Sequence, residues 1–545
     1  MPTVTPTILS NGQPMDPSYR LLSIDVRREV NRLPQAELRL IDGSAAKQQF
    51  AVSDSGFFDP GASVEIKLRY EGGADASVFK GTVTRQGIEA NGDDSLLVVV
   101  AKDAAVKLAG TRRSACFEQK TDDAIIRQLV TDAGLQVGKL STTKPTHPAM
   151  VQYYCADWDF IISRADAQGM LVVVEDGSVS LQPMAVSGGP RHHFEYGISE
   201  ILDLELEADA GSQYGAVESV AWSLKDQTPT QASKANSVGG SPGDLDGAKL
   251  GKAVGNDVCA LCHPVPALPD ELQAWADATM ARSRLALCRG RIAVPGFADV
   301  HLLDVMEIAG IGKRFDGTAL LTGLRHRVDA SGWRTDVQFG LPPEKFSQNH
   351  DIVDAPSAGL LPAVSGLQIG VVADFASDPD NELRVKVILP AVDPSKGTVW
   401  ARLAAPDAGK DRGYYFRPEP KDEVVIGFLN NDPRYPVILG SLFGSKNSPA
   451  AAMGTPSDKN EQKGIVTKKG TTIGFLDGAK PSVFIETASK NKLLLDDDAK
   501  QVSLTDQHGN SITLSKDGIV LKSAKDLKID ASGNVEIKGS AVDVK

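Results

Sequence analysis

Residues 464–545 constrain the fold of this chain more than any other stretch. Apolar pairs of the form apolar-x-apolar recur at Ile473/Phe475, Val483/Ile485, Leu493/Leu495, Val502/Leu504, Ile512/Leu514, Ile519/Leu521, Leu527/Ile529, Val535/Ile537 and Val542/Val544. The step begins near ten residues and settles to seven or eight, with Gly, Asp, Asn, Ser and Lys between the pairs. Such alternation is strand patterning with one apolar face. A period this short implies one strand and one corner per repeat, as in a β-helix or β-prism. Each repeat supplies a single strand and two side chains facing one way, too little for one chain to circle its own core. The pattern therefore predicts three chains closing a shared core, a cyclic trimer without open lateral edges. The inward core is expected to include Ile512, Leu514, Ile519, Leu521, Leu527, Ile529, Val535 and Ile537. At about 4.8 Å per stacked strand, the nine repeats give a rigid needle of roughly 40 Å. The competing reading is a set of edge hairpins folded on the preceding domain.

At 545 residues the chain exceeds what one core can hold, and several domains are expected. A net charge of −12 and a pI near 5.3, with no Lys/Arg stripe, argue against nucleic acid as a partner. Fifty-one glycines and only 6% aromatic residues favour a turn-rich β protein. The first residues, MPTVTPTILSNGQPMDPSYR, lack a basic segment followed by an apolar one, so no secretory signal is expected. The longest apolar runs, such as LLVVVA from Leu96, are too short to span a bilayer, so no stable membrane anchor is expected. Five cysteines, an odd number, fit reduced thiols.

Upstream of the tail, residues 1–115 read as short strands at hairpin spacing, a barrel or sandwich. Residues 116–224 hold two predicted helices. One is TDDAIIRQLVTDAG, with Thr121 as N-cap and Gly134 as its stop. The other is ADWDFIISRADAQG, capped at Asp157 and closed by Gly169. Residues 225–258, rich in Ser, Gly, Pro and Asp, read as a polar loop. Residues 259–350 combine a helix, with Pro269 near its start and Gly290 just past its end, and a second antiparallel set of strands. A linker at 351–364 leads to a compact β unit at 365–445, and a second linker at 446–463 leads to the tail.

The run LRVKVILPAVDPSKGTVWARLAAPDAGKDRGYYFRPEPKDEVVIGFLNNDPRYPVILGSLFG, residues 383–444, resembles the OB-fold barrel of the contractile injection system spike family. That family includes phage central spikes, the VgrG proteins of type VI secretion and, most similar here, the spikes of extracellular contractile injection particles. YYCADWDFIISRADAQGMLVVVEDG and the run from Arg289 to Leu341 resemble its hub segments, so the resemblance covers most of the chain. It implies a mainly β fold: a hub of β-barrels with a few helices, an OB-fold collar and an intertwined trimeric needle. It also implies a homotrimer that contacts inner-tube and baseplate proteins, accommodates effector cargo and pierces a target envelope mechanically. A small PAAR-type tip protein would contact Val542, Val544 and Lys545. The particle would be assembled in the bacterial cytoplasm and then act as, or within, a phage-tail-like machine. Some relatives carry a lysozyme or effector domain beside the needle. Here about twenty residues join collar to needle and none follow Lys545, so no enzyme is expected. The alternatives are a spike-associated peptidoglycan hydrolase and an OB-fold glycan-binding module.

Other motifs carry less. Cys259-Ala260-Leu261-Cys262-His263 spells a haem-attachment pattern, but that chemistry requires export. A zinc site would need a second ligand pair, and Cys116, Cys155 and Cys288 are singletons. Both cysteines of the motif are read as small apolar residues leading into the helix. Alternation sends His192 and His193 to opposite faces, and His326 reads as structural. Asp496, Asp497 and Asp498 read as a solvated corner. No cofactor, metal or catalytic residue is expected.

Overall fold

The computed structural model describes residues 3–91, 95–237, 242–393, 395, 398–454 and 457–545. The chain divides into two compact units, residues 1–355 and 356–545.

The first unit is organised by a thirteen-stranded sheet. From one edge it runs through Asp203–Ala208, Cys288–Pro295, Gly332–Phe339, Gly317–Asp329, Arg20–Glu29, Gln35–Ile41, Ser95–Lys102, Ala76–Ala90 and Ser63–Tyr70 to Val4–Ser10. Segments far apart in sequence are thus joined by one seam, the antiparallel pairing of Arg20–Glu29 with Gly317–Asp329. Alternation sets the cores. In QAELRLI, Ala36, Leu38 and Leu40 point inward with Ile24, Val26, Ile66, Leu68 and Leu97, while the residues between them face out. A second core gathers Ile292, Met306, Leu321, Val337 and Phe339.

A third core lies where helices Asp122–Asp132 and Asp157–Ala167 cover the hairpin Met170–Glu175/Ser178–Pro183, burying Ile125, Leu129, Ile161, Ile162, Val172 and Val174. Buried Asp122 holds this layer together. Its carboxylate accepts hydrogen bonds from Arg164 Nε (2.7 Å), Gln168 Nε2 (2.8 Å) and His147 Nε2 (3.1 Å). A buried charge is tolerable only when it is paired and bonded in this way.

Three expectations are corrected. The helix at 157–167 has Ala156 in the cap position, not Asp157; the Asp157 carboxylate instead accepts from Arg113 Nε and Gln152 Nε2. Gly290 does not stop the long helix Pro269–Leu285. It lies inside the following strand, where a Cβ would meet the Glu205 carbonyl oxygen at 2.5 Å. Residues 225–258 are not simply a loop. They contain the short strands Thr228–Pro229 and Ser233–Lys234 and a helix, Gly247–Ala253, capped by the Asp246 carboxylate on the N–H groups of Ala248 and Lys249; residues 238–241 lie outside the described part.

The first unit ends in a strap. Residues 351–354 lie against the ribbon of Arg112–Lys120 and His147–Ala156. Val353 forms an isolated bridge to Cys155, and Arg112 donates to the Asp354 carboxylate (2.9 Å) and the Asp351 carbonyl (2.8 Å). In the second unit, five strands close a barrel: Gln368–Val372, Val385–Ile388, Thr398–Leu403, Pro436–Ser441 and Glu423–Phe428. Val385, Val387, Ala401, Val424, Ile426 and Ile438 fill it. The tail follows as a separate seven-stranded sheet.

His326 lies across the central seam. It is buried against Trp333, with Nδ1 2.9 Å from Thr335 Oγ1. Burial, reinforced by nearby Arg28, lowers its pKa to about 3. The unfolded chain binds this proton near pH 6.5 and the folded one does not. Its contribution to stability is therefore full above that pH and is lost as pH falls toward 3. We expect the urea midpoint of the full chain to fall steadily between pH 7 and pH 4, and the fall to shrink in His326→Gln.

Candidate functional site

The tail sheet consists of Gln462–Val466, Thr472–Leu476, Ser482–Glu486, Lys492–Asp496, Gln501–Thr505, Ser511–Ser515 and Gly518–Lys522, each antiparallel to the next. Equal strand lengths and in-register pairing turn the sequence alternation into two continuous rows. One row is Ile465, Ile473, Ile485, Leu493, Leu504, Ile512 and Leu521. The other is Phe475, Val483, Leu495, Val502, Leu514 and Ile519. Both lie on the same face, because side chains two residues apart on a strand point the same way.

Burial along these strands is inverted. In Ser482–Glu486, Gln501–Thr505 and Ser511–Ser515 the residues of the two rows are exposed and the residues between them, Phe484 included, are partly covered. Ile512 is 36% exposed, Leu514 43% and Ile519 69%. The opposite face has its own packing. The Phe484 ring lies over Gly474, where a Cβ would meet it at 2.4 Å, and Lys492 Nζ sits 4.9 Å from the ring centroid.

Sequence reading missed how the corners on one margin interlock. In Thr467–Thr471, Thr487–Asn491 and Asp506–Asn510 the first N–H donates to the fifth carbonyl, and the fifth N–H donates back to the first side chain. Each Asn then reaches the next level: Asn491 Oδ1 accepts from Gln507 N (3.2 Å) and Asn510 Oδ1 from Ala524 N (2.9 Å). Hydrogen bonds led by the Asn510 amide hold the Asp506 carboxyl below its usual range. The recurring spacing Thr/Asp-x-x-x-Thr/Asn was the available signal. On the other margin Lys480 pairs with Asp498 (2.9 Å) and Asp496 Oδ1 accepts from Ala499 N (2.9 Å), so the acidic run builds a corner.

The expected strands beyond Lys522 form no ladder in the single chain. Leu527, Ile529, Val535, Ile537, Val542 and Val544 have no strand partner among the described residues, and all are exposed, Val544 at 89%. Lys545 is exposed too and pairs with Asp543. The structure thus brings Ile512, Leu514, Ile519 and Leu521 into one surface and leaves the later pairs apart from it.

The remaining candidates do not converge. Cys259 and Cys262 do not simply lead into the helix; they sit on the strand Val258–His263, three residues apart and so on opposite faces. His192 Nε2 contacts Asp304 (3.0 Å) while His193 Nδ1 contacts Glu307 (2.8 Å). No cluster of metal-ligating side chains occurs among the described residues.

Removing the Asn510 side chain leaves the Ala524 N–H without its acceptor. We expect Asn510→Ala to cost about 1–2 kcal/mol locally, read as faster hydrogen exchange at Ala524 and at the Asp506–Asn510 corner, with the barrel amides unchanged.

Comparison with known proteins gives a consistent assignment along the chain. Residues 1–330 match the family described as the Alg8 N-terminal domain. Residues 368–443 match the type VI secretion system/phage-baseplate injector OB domain, and residues 482–545 match the phage baseplate V C-terminal trimerisation domain. The type VI secretion system spike protein VgrG3 of Vibrio cholerae is 29% identical over 158 residues, covering 27% of this chain and 15% of that protein. VgrG1b of Pseudomonas aeruginosa is 25% identical over 213 residues, covering 36% of this chain and 28% of that protein. The chain therefore aligns with less than a third of the length of these relatives. The 43 kDa tail protein of prophage MuSo2 from Shewanella oneidensis superposes with a TM-score of 0.47 at 12% identity, over 63% of this chain and 99% of that one.

Proposed function

Because this chain belongs to the family defined by the Alg8 N-terminal domain and is a VgrG-like spike, we propose that it works as a homotrimeric, non-catalytic puncturing shaft that transmits the force of a contracting apparatus to a target envelope. The observation that carries this reading is the inverted burial of the tail: two rows of Ile, Leu, Val and Phe bare in one chain, on a segment matching a trimerisation domain.

In this reading the two rows of each copy face those of the other two copies, and Leu527, Ile529, Val535 and Ile537 extend the same core. Burial of apolar surface is worth roughly 25 cal/mol per Å², and rows this long make association strong. Force is then carried by strand ladders closed on themselves, whose requirement is slow unfolding. Residues 1–350 act as the hub toward inner-tube and baseplate proteins, residues 365–445 as the collar and residues 464–545 as the shaft. Val542, Val544 and Lys545 meet a small PAAR-type tip protein, and effector cargo travels with the assembly. No helix among the described residues is long and apolar enough to cross a membrane.

Light scattering of the full chain tests the reading. We expect three times the 57.8 kDa chain mass. The double variant Leu504→Asp/Ile512→Asp, which charges the bare face, should fall to one copy. Ser503→Asp/Thr513→Asp, on the opposite face of the same strands, should keep the mass. A wild-type chain that stays single-copy at micromolar concentration overturns the proposal.

A further inference from the structure

On the polar face of the hub sheet, strand register sets like charges beside one another. Arg325 stands directly opposite Arg27, and Arg327 directly opposite Arg334. Like charges in directly opposed positions destabilise a ladder. Only two carboxylates serve these four guanidiniums. Asp25 is shared by Arg27 and Arg325, and buried Asp336 by Arg327 and Arg334. The acids nearby have cations of their own: Glu29 pairs with Arg32 (2.9 Å) and Glu37 with Arg39 (2.8 Å). A fifth arginine, Arg291, reaches within 3.6 Å of Asp336 and is itself held by Asp203 (2.6 Å) and Glu205 (3.6 Å). Around Arg27, Arg325, Arg327 and Arg334 positive charge is thus in excess, in a chain whose net charge is −12.

These side chains line a cavity of about 490 Å³. It opens over Gly323, which pairs with Glu29 on one side and Gln338 on the other and places no side chain between them. A Cβ there would meet the Gln338 Cβ at 3.2 Å. Three polar atoms at this cavity are buried without a hydrogen bond among the described residues: Arg327 Nε, Arg334 Nε and Asp336 Oδ1. Arg334 Nε lies 3.2 Å from Asp336 Oδ1, close enough for an ion pair, but the hydrogen-bonding capacity of both atoms is unused. Buried polar atoms are normally bonded. Two idle N–H donors and one idle carboxylate acceptor in a positively charged hollow specify an anion that also carries a proton.

We propose that this cavity binds inorganic phosphate as hydrogenphosphate. Its bare oxygens accept from Arg327 Nε and Arg334 Nε, and its remaining O–H donates to Asp336 Oδ1. Guanidinium forks match phosphate oxygens in shape and charge. The anion also neutralises the repulsion between the opposed arginines. Sulfate has the same shape and charge but no proton to give Asp336. A phosphate monoester has lost its last proton at pH 8, because that group titrates near pH 6. The site therefore selects the free ion over both. The inference stands on the hub alone and is independent of the shaft reading.

Calorimetric titration of the full chain at pH 8 tests it, with inorganic phosphate, sulfate and glycerol phosphate as probes. We expect phosphate to bind about tenfold or more tightly than either of the others. Arg334→Gln should weaken phosphate by a similar factor, and Arg334→Lys, which keeps the charge and loses the fork, by less. Arg39→Gln, on the same face outside the cavity, should leave binding unchanged. Asp336→Asn should bring sulfate level with phosphate, a change of selectivity that a purely structural carboxylate does not produce. No binding at millimolar phosphate overturns the proposal, and a carboxylate of a neighbouring copy seated in the cavity gives that result. Equal binding of phosphate and sulfate to the unaltered chain, or equal losses in Arg334→Gln and Arg39→Gln, overturns it as well.

Discussion

Two rows of branched and aromatic side chains stand on one face of the tail sheet with nothing from their own chain above them. That constraint governs the rest. The rows exist because strands of equal length pair in register, and the register holds because each corner repeats the same hydrogen bonds. A one-residue slip would send every apolar residue to the other face. The interlocked Asn491 and Asn510 corners oppose such a slip before any partner arrives. Local chemistry therefore prepares a surface whose stabilisation comes from association.

The hub solves a different problem, pairing opposite charges on a polar sheet face. Across neighbouring strands Asp25 is shared by Arg27 and Arg325, and buried Asp336 contacts Arg327 (2.9 Å) and Arg334 (3.2 Å). Burial raises the Asp336 pKa and its arginines oppose that rise. Opposite charges placed across strands favour one register and penalise others.

What the sequence disclosed follows from what is periodic. The tail pairs, the barrel strands around Val385, Ala401 and Ile426, and the helices at 122–132 and 157–167 repeat at the spacing of their own structure. The failures are residues whose role depends on distant contacts. Asp157 looked like a cap until Arg113 claimed its carboxylate, and Gly290 looked like a stop because its neighbour Glu205 lies far away in sequence. The seam joining residues 20–29 to residues 317–329 leaves no local signal at all. Past Lys522 the alternation continues while the ladder ends. The pattern marks which residues are apolar, and it does not specify whose strand lies beside them.

The strap at residues 351–354 has a mechanical corollary. A pull applied at Ala355 first meets the bridge between Val353 and Cys155 and the two Arg112 hydrogen bonds, and only then the ribbon behind them. One guanidinium gripping both a side chain and the backbone spreads that tension over two anchor points three positions apart. The last turn of the first unit is therefore moored to its interior, and stress entering there is handed to a hydrogen-bonded ribbon before it can peel the outgoing chain away.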